Sequence, residues 1–308
     1  MLAAIDVGSN TVRLLLGALR SGRVEPFRYE RRITRLKGGQ SADGLLAAEA
    51  MTRTLAALND FAQICQLYTP TVCRSVGTAA LRQAVNAGPF LDEVQARTGL
   101  IVEVLSGEDE ALLTASGVLA ALDPVPDCSL IIDVGGGSTE FALLKQGRVL
   151  VQTSVPLGVV SLTESSLSPR HLLAMIRRHI DTVFSRLQSV DGVPPVSTWH
   201  PVATAGTATT LAALHLQMSS YDWRRVNNYR LPAGEVERLA RHLRLLTVAE
   251  REALPGMEIG RGDLILPGIA ILQAVLRRMS VPELIVSDFG LLEGALLSLD
   301  SSATVSDN

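Results

Sequence analysis

The sequence predicts an α/β protein built from two similar lobes. Its 308 residues suit two domains of ordinary size. A motif near the N-terminus returns near the middle of the chain. Strands alternate with helices through both halves.

The repeat is the strongest of these signals. Residues Ile5 to Leu16 read IDVGSNTVRLLL, and Ile132 to Leu143 read IDVGGGSTEFAL. Asp6 aligns with Asp133, Gly8 with Gly135 and Thr11 with Ser138. Gly22-Arg23-Val24 follows the first copy and Gly147-Arg148-Val149 the second. Each copy reads as strand, polar turn, strand, turn, strand. The glycines at the first turn let backbone approach a ligand closely.

The remaining elements follow in order. LLAAEAMTRTLAALNDFAQIC has the period of an amphipathic helix. TPTVCRSV reads as a strand, TAALRQAVN and GPFLDEVQARTG as helices, LIVEVLS as a strand and DEALLTASGVLAAL as a helix. In the second half PRHLLAMIRRHIDTVFSRLQ is an amphipathic helix, WHPVATAG a strand entering a turn, and TATTLAAL opens a helix. AGEVERLARHLRLL and the stretch from Leu264 to Met279 are further helices, ELIVSD the last strand and GLLEGALLSL the last helix. The apolar run Leu264–Leu276 is too short for a membrane span and carries Pro267, so it reads as a buried core helix. We place the lobes at 1–121 and 122–308, with a hinge near Ala121–Asp127, and the last helix, 295–308, as a candidate to return to the first lobe. The polar tail SSATVSDN is expected to fray.

Composition excludes several classes. The formal charge of −3 gives no global basic field for nucleic acid, so a polyanion must be held locally. Cys65, Cys73 and Cys128 form no C-x-x-C pair and read as reduced, mostly buried thiols of a cytoplasmic protein. MLAAIDVGSN lacks a basic n-region and is interrupted by Asp6, unlike a signal peptide. There is no P-loop motif and no G-x-S-x-G elbow. The five histidines show no metal-ligand spacing and read as surface or packing residues.

Four segments carry candidate chemistry. In the first two, Gly8, Ser9, Asn10 and Thr11, and then Gly135, Gly136, Gly137 and Ser138, offer N–H and O–H groups to phosphate oxygens. Asp6 and Asp133 beside them can hold magnesium, which takes few carboxylates together with substrate oxygens. In the third, Gly206 and Thr207 open a helix after a strand, an anion site or an ordinary threonine cap. In the fourth, Glu108, Asp109 and Glu110 follow a strand and open a helix. They read either as acids favoured by the helix dipole or as containing a general base. Arg82 could pair a phosphate through its planar fork, or be a solvated helix residue.

Taken together, AAIDVGSNTVRLLL, GTAALRQAVN, VEVLSGEDEALL, LIIDVGGGSTEF, ATAGTATTLAAL, LPGIAIL and SDFGLLEGAL resemble the exopolyphosphatase / guanosine pentaphosphate phosphohydrolase family, from Ala4 to about Leu297. The resemblance implies the two-lobed actin/hsp70/sugar-kinase-like (ribonuclease H-like) fold with an interdomain cleft. It implies magnesium-assisted hydrolysis of a terminal phosphoanhydride of polyphosphate or guanosine pentaphosphate. The family's S-G-x-E-E-A motif places the base at Glu110, with Asp109 a departure that keeps the charge. Its other motifs implicate Arg82, Asp133, Gly135, Ser138 and Glu140, the last as a further metal-side acid. The chain resembles a short, two-domain form, which makes guanosine pentaphosphate or short polyphosphate a rival to long polymer. Arg13, Arg31, Arg32 and Arg261 are candidate alarmone contacts or solvated arginines. A homodimer is carried as an expectation, with neither nucleic acid nor membrane as partner. The alternatives are an ATP-dependent kinase on the same fold, a non-catalytic alarmone or nucleotide sensor, and an actin-type filament protein.

Overall fold

The computed structural model of the chain describes residues 1–303; residues 304–308 lie outside the described residues, and with them most of the tail expected to fray. The strands and helices run β1 (Leu2–Val7), β2 (Thr11–Arg20), β3 (Arg23–Ile33), α1 (Ala48–Tyr68), β4 (Val72–Gly77), α2 (Ala79–Gln83), α3 (Ala87–Thr98), β5 (Val102–Val104) and α4 (Gly107–Ala121). They continue with β6 (Cys128–Val134), β7 (Thr139–Lys145), β8 (Arg148–Val155), α5 (Val159–Thr163), α6 (Pro169–Gln188), β9 (His200–Thr204), α7 (Ala205–His215) and α8 (Trp223–Val226). The last are β10 (Tyr229–Pro232), α9 (Ala233–Arg244), α10 (Val248–Glu252), α11 (Ile265–Met279), β11 (Glu283–Val286) and α12 (Leu291–Ala303). The chain divides into two compact units. One is Met1–Ala120 with the segment from Gly290 onward; the other is Ala121–Phe289.

The first unit holds a five-stranded sheet in the order β3-β2-β1-β4-β5. β1 (LAAIDV) is buried on both faces and apolar but for Asp6, and it sits at the centre, antiparallel to β2 and parallel to β4. β3 is the edge strand; its exposure alternates along the chain, and both faces carry charged residues. One face of the sheet packs Ile5, Val7, Leu14 and Leu16 against Leu58 and Phe61 of α1. α12 lies on β1, β2 and β4. It also meets α4 through glycines: a Cβ on Gly117 would stand 1.9 Å from the Gly290 carbonyl oxygen, and one on Gly294 1.8 Å from that of Leu113.

The second unit repeats the plan in the order β10-β11-β9-β6-β7-β8. β6 (CSLIIDV) is buried along its whole length, antiparallel to β7 and parallel to β9. Each unit thus has a three-stranded meander whose first strand pairs in parallel with a strand reached by a helical crossover, and a further strand beyond it. This is the ribonuclease H-like order of the actin/hsp70/sugar-kinase class. α11 is the buried core helix expected from Leu264 to Leu276. Its Pro267 falls in the first turn, where the missing N–H has no intrahelical partner to lose. Among the described residues no helix is long and apolar enough to cross a membrane.

Some local readings change. Of the three cysteines only Cys128 is buried; Cys73 is exposed near the start of β4 and Cys65 is half-buried. The Cys73 sulfur beside it, and then burial, push the Cys65 thiol up. α2 ends at Gln83, short of the helix expected through Asn86, because Ala84 is already extended. β10, α5, α8 and α10 are short elements without a readable period.

The α4–α12 contact is backbone against backbone, so it cannot relax by a rotamer change. Gly294→Ala should destabilise the protein by about 3 kcal/mol, visible as a lower thermal midpoint. Gly234→Ala, with nothing within 4 Å of its Cβ position, should leave the midpoint unchanged or raise it.

Candidate active site

The ends of parallel strands set the site. β1, β4 and β5 all point the same way, so the segments after Val7, Gly77 and Val104 emerge at one edge of the first sheet. Ligands of α/β sheets bind outside such carboxyl ends. The turn Gly8–Thr11 lies there, closed by the Gly8 N–H donating to the Thr11 carbonyl at 3.0 Å. A Cβ on Gly8 would stand 2.8 Å from that carbonyl oxygen, so glycine is required. Ser9, Asn10 and Thr11 are buried. The segment after β3 holds the turn from behind: Lys37 N donates to Ser9 O, and Thr34 N and Arg35 N to Asn10 O. Thr78 N, at the start of α2, donates to Val7 O and ties the second strand end to the first.

The acid trio of α4 separates into two jobs. Ser106 caps the helix, accepting from Asp109 N at 3.0 Å and donating to Asp109 Oδ2 at 2.7 Å. Glu108 and Asp109 are exposed in the first turn, where the helix dipole favours them. Glu110 is different: it is 6% exposed, and Arg82 Nη1 donates to its Oε2 at 2.9 Å and to the Leu105 carbonyl at 2.8 Å. Capping does not explain a buried carboxylate on a guanidinium. Arg82 is therefore neither a solvated residue nor free of Glu110; the two candidates are one pair.

The second unit repeats the turn. Gly135 N donates to Ser138 O at 3.0 Å, the counterpart of the bond at Gly8. α5 clasps it, with Val159 N and Val160 N donating to the Gly135 and Gly136 carbonyls. Gly158 brings that clasp close, since a Cβ there would lie 2.3 Å from Gly136 O. Asp133 and Glu140 are register partners across β6 and β7, both buried, and Ser154 Oγ donates to Glu140 Oε1 at 2.7 Å. In the first unit the register partner of Asp6 is Arg13, whose Nε and Nη2 donate to Asp6 Oδ2 at 2.9 and 2.7 Å. Asp6 Oδ1 is buried without a hydrogen-bond partner.

The third segment is the first turn of α7 rather than a separate loop, because the helix starts directly at Ala205. Thr204 does not cap it; its hydroxyl donates to the Phe289 carbonyl instead. Thr207 turns its side chain toward Gly268 of α11, leaving its N–H at the helix end. The Arg261 guanidinium lies over Gly206, where a Cβ would meet Nη1 at 1.7 Å, and it is paired with Glu258. Arg13 and Arg31 share the face of Asp6. Arg32 is on the opposite face, paired with Glu30 and set over the Phe61 ring, so it is a packing residue. The sequence marks Ser106 as the start of the acidic segment without its capping role, and it does not mark Ser154, which becomes visible only once the β7–β8 register is known.

Among the described residues no group of three or more His, Cys, Asp or Glu forms a ready metal cage. Asp133 and Glu140 fit magnesium nonetheless, because that ion takes one or two carboxylates and completes its shell with water and phosphate oxygens.

A family model described as the Ppx/GppA phosphatase family matches residues 18–303. Exopolyphosphatase 2 of Mycobacterium tuberculosis H37Rv is 33% identical, over 96% of this chain and 98% of its own. Exopolyphosphatase 1 of Mycobacterium bovis is 29% identical, over 98% of this chain and 89% of its own. The crystal structure of the Aquifex aeolicus family member superposes with a TM-score of 0.81 at 29% identity, covering 99% of both chains. An exopolyphosphatase from Cytophaga hutchinsonii gives 0.86 at 26% identity, covering 98% of each.

Removing one partner of a buried ion pair strands the other. Arg82→Met should cost about 3 kcal/mol in urea unfolding, and Glu110→Gln in the same background should recover part of it. Equal stability of wild type and Arg82→Met would show that the pair carries no desolvated charge.

Proposed function

The chain belongs to the Ppx/GppA phosphatase family, and on that premise we propose that it hydrolyses the terminal phosphoanhydride of inorganic polyphosphate, releasing orthophosphate. The observation that carries the proposal is Glu110: the buried member of the acid trio, held by Arg82, at the same sheet edge as the Gly8–Thr11 turn. Phosphoryl transfer asks a protein mainly for positioning and charge stabilisation. Beyond the Gly8 and Gly135 N–H groups that close the turns, the N–H and hydroxyl groups of Ser9–Thr11 and of Gly136–Ser138 offer directed, uncharged donors for phosphate oxygens. The first turn of α7, with Gly206 and Thr207, supplies helix N–H groups free of a side-chain cap.

In this reading Glu110 accepts a proton from water as its oxygen attacks the terminal phosphorus. The bond to the bridging oxygen breaks, leaving orthophosphate and a polymer one unit shorter. Arg82 holds the carboxylate in place, and its Leu105 contact fixes the guanidinium in turn. Asp133 and Glu140 would hold magnesium, which when bound offsets the charge on the terminal phosphates and the departing oxygen. The same chemistry serves the terminal phosphate of guanosine pentaphosphate.

Phosphate release with magnesium should fall by about 10²–10⁴-fold in Glu110→Gln, with KM within a few-fold of wild type. Polyphosphate, guanosine pentaphosphate and ATP compared side by side would rank the substrates. Turnover near wild type in Glu110→Gln removes Glu110 as the base, and binding without release from any substrate means a sensor.

A further inference from the structure

The duplicated hairpins differ at one row of the ladder. In the first unit Asp6 on β1 faces Arg13 on β2, which faces Arg31 on β3. In the second Asp133 on β6 faces Glu140 on β7, which faces Ser154 on β8. Residues directly opposed in antiparallel strands project from the same face with Cβ atoms about 5 Å apart. The first row therefore sets one carboxylate against two guanidiniums; the second sets two carboxylates against a neutral hydroxyl.

The physics of the two rows is opposite. Asp6 is answered within the row by the Arg13 fork at 2.7 and 2.9 Å. At the matching place in the second copy stands another acid, Glu140, 2% exposed beside Asp133 at 8%. Like charges directly opposed destabilise a sheet, and more so out of water. Ser154 does not change the charge of that row. Its hydroxyl donates to Glu140 Oε1 at 2.7 Å. The other oxygen, Oε2, lies toward the Gly135 turn, 3.9 Å from the position of a Cβ on Gly135.

We propose that Ser154 is a positioning residue: by engaging Oε1 of Glu140 it fixes which carboxylate oxygen faces the Gly135–Ser138 turn. The divalent cation is thereby drawn to the second copy alone, while Arg13 serves the first copy as a built-in cation. The inference rests on the reading of Asp133 and Glu140 as the magnesium-side acids, and it withdraws Asp6 from that set. Hydrogen-bond partners behind a metal ligand typically carry 10–100-fold in metal affinity.

The test is a titration of the whole, substrate-free protein with Mn²⁺, followed by the free-ion EPR signal. Wild type should retain one Mn²⁺ per chain. Ser154→Ala should weaken it about tenfold, Ser154→Thr should restore it, and Ser154→Ala should add nothing in a Glu140→Gln background. Asp6→Asn should leave Mn²⁺ affinity unchanged. A general packing role for Ser154 would lower the thermal midpoint equally in both backgrounds and would not follow the Thr rescue. Two bound ions, none, or Ser154→Ala affinity within twofold of wild type overturns the inference. Phosphate release by wild type, measured separately, shows whether the hydrolase reading survives such a failure.

Discussion

The parallel pairing of β1 with β4, and of β6 with β9, is the constraint on which everything at the site depends. A parallel pair needs a long crossover, and its two strands end at the same edge. That places the Gly8 turn beside Thr78 in one unit, and the Gly135 turn beside Thr204 and the start of α7 in the other. Neither turn could hold its shape alone. The bond from Gly8 N to Thr11 O and its twin from Gly135 N to Ser138 O close them, and neighbouring segments then occupy their outward carbonyls. With the carbonyls engaged from behind, what each turn has left to offer is N–H and hydroxyl groups, the chemistry an anion recognises.

The duplication was legible in the sequence because it is local. Asp6 to Thr11 and Asp133 to Ser138 carry their turn in consecutive residues, and the flanking apolar runs announce the strands. The meander order follows from short connections, and α11 from its length and apolarity. What a linear reading left open was long-range. Residue chemistry does not choose among Glu108, Asp109 and Glu110; the family resemblance points to Glu110, and the physical reason that sets it apart is Arg82, 28 residues away. Arg31 and Ser154 acquire meaning only from strand register, which has an irregularity between Leu16 and Gly17 in one hairpin and between Leu143 and Leu144 in the other. A bulge shifts every later pairing by one residue and so moves side chains to the other face. Thr204, at the N-cap position of α7, does not cap it, because its hydroxyl donates to the Phe289 carbonyl 85 residues on.

The buried charges at the two turns are not there for stability. Desolvating Glu110, Asp133 and Glu140 costs more than an apolar core of the same volume would. The surrounding structure offsets this with close backbone packing at Gly117 and Gly294 in the first unit and at Gly158 in the second. α4, which carries Glu110, is the helix clamped by the Gly117 and Gly294 contacts. A carboxylate that must be aimed within a fraction of an ångström gains from a helix that cannot slide.

Charge placement also bears on how a polyanion would be handled. The chain as a whole carries a formal −3, so no long-range field gathers substrate. Attraction must then come from groups acting at contact distance, well inside a Debye length of about 8 Å in physiological salt. The donors in both turns are uncharged, which favours recognition by direction over recognition by net charge. A turn of backbone N–H groups binds a phosphate where its oxygens fit and releases it when they no longer do. A cluster of unpaired lysines would hold any segment of a polymer equally well. Asp6 fits the same logic: by engaging Arg13 through both nitrogens of the fork, it keeps a guanidinium beside the first turn without presenting it as an unscreened charge. A site that must let go of its product at every turnover is better served by such tempered cations than by bare ones.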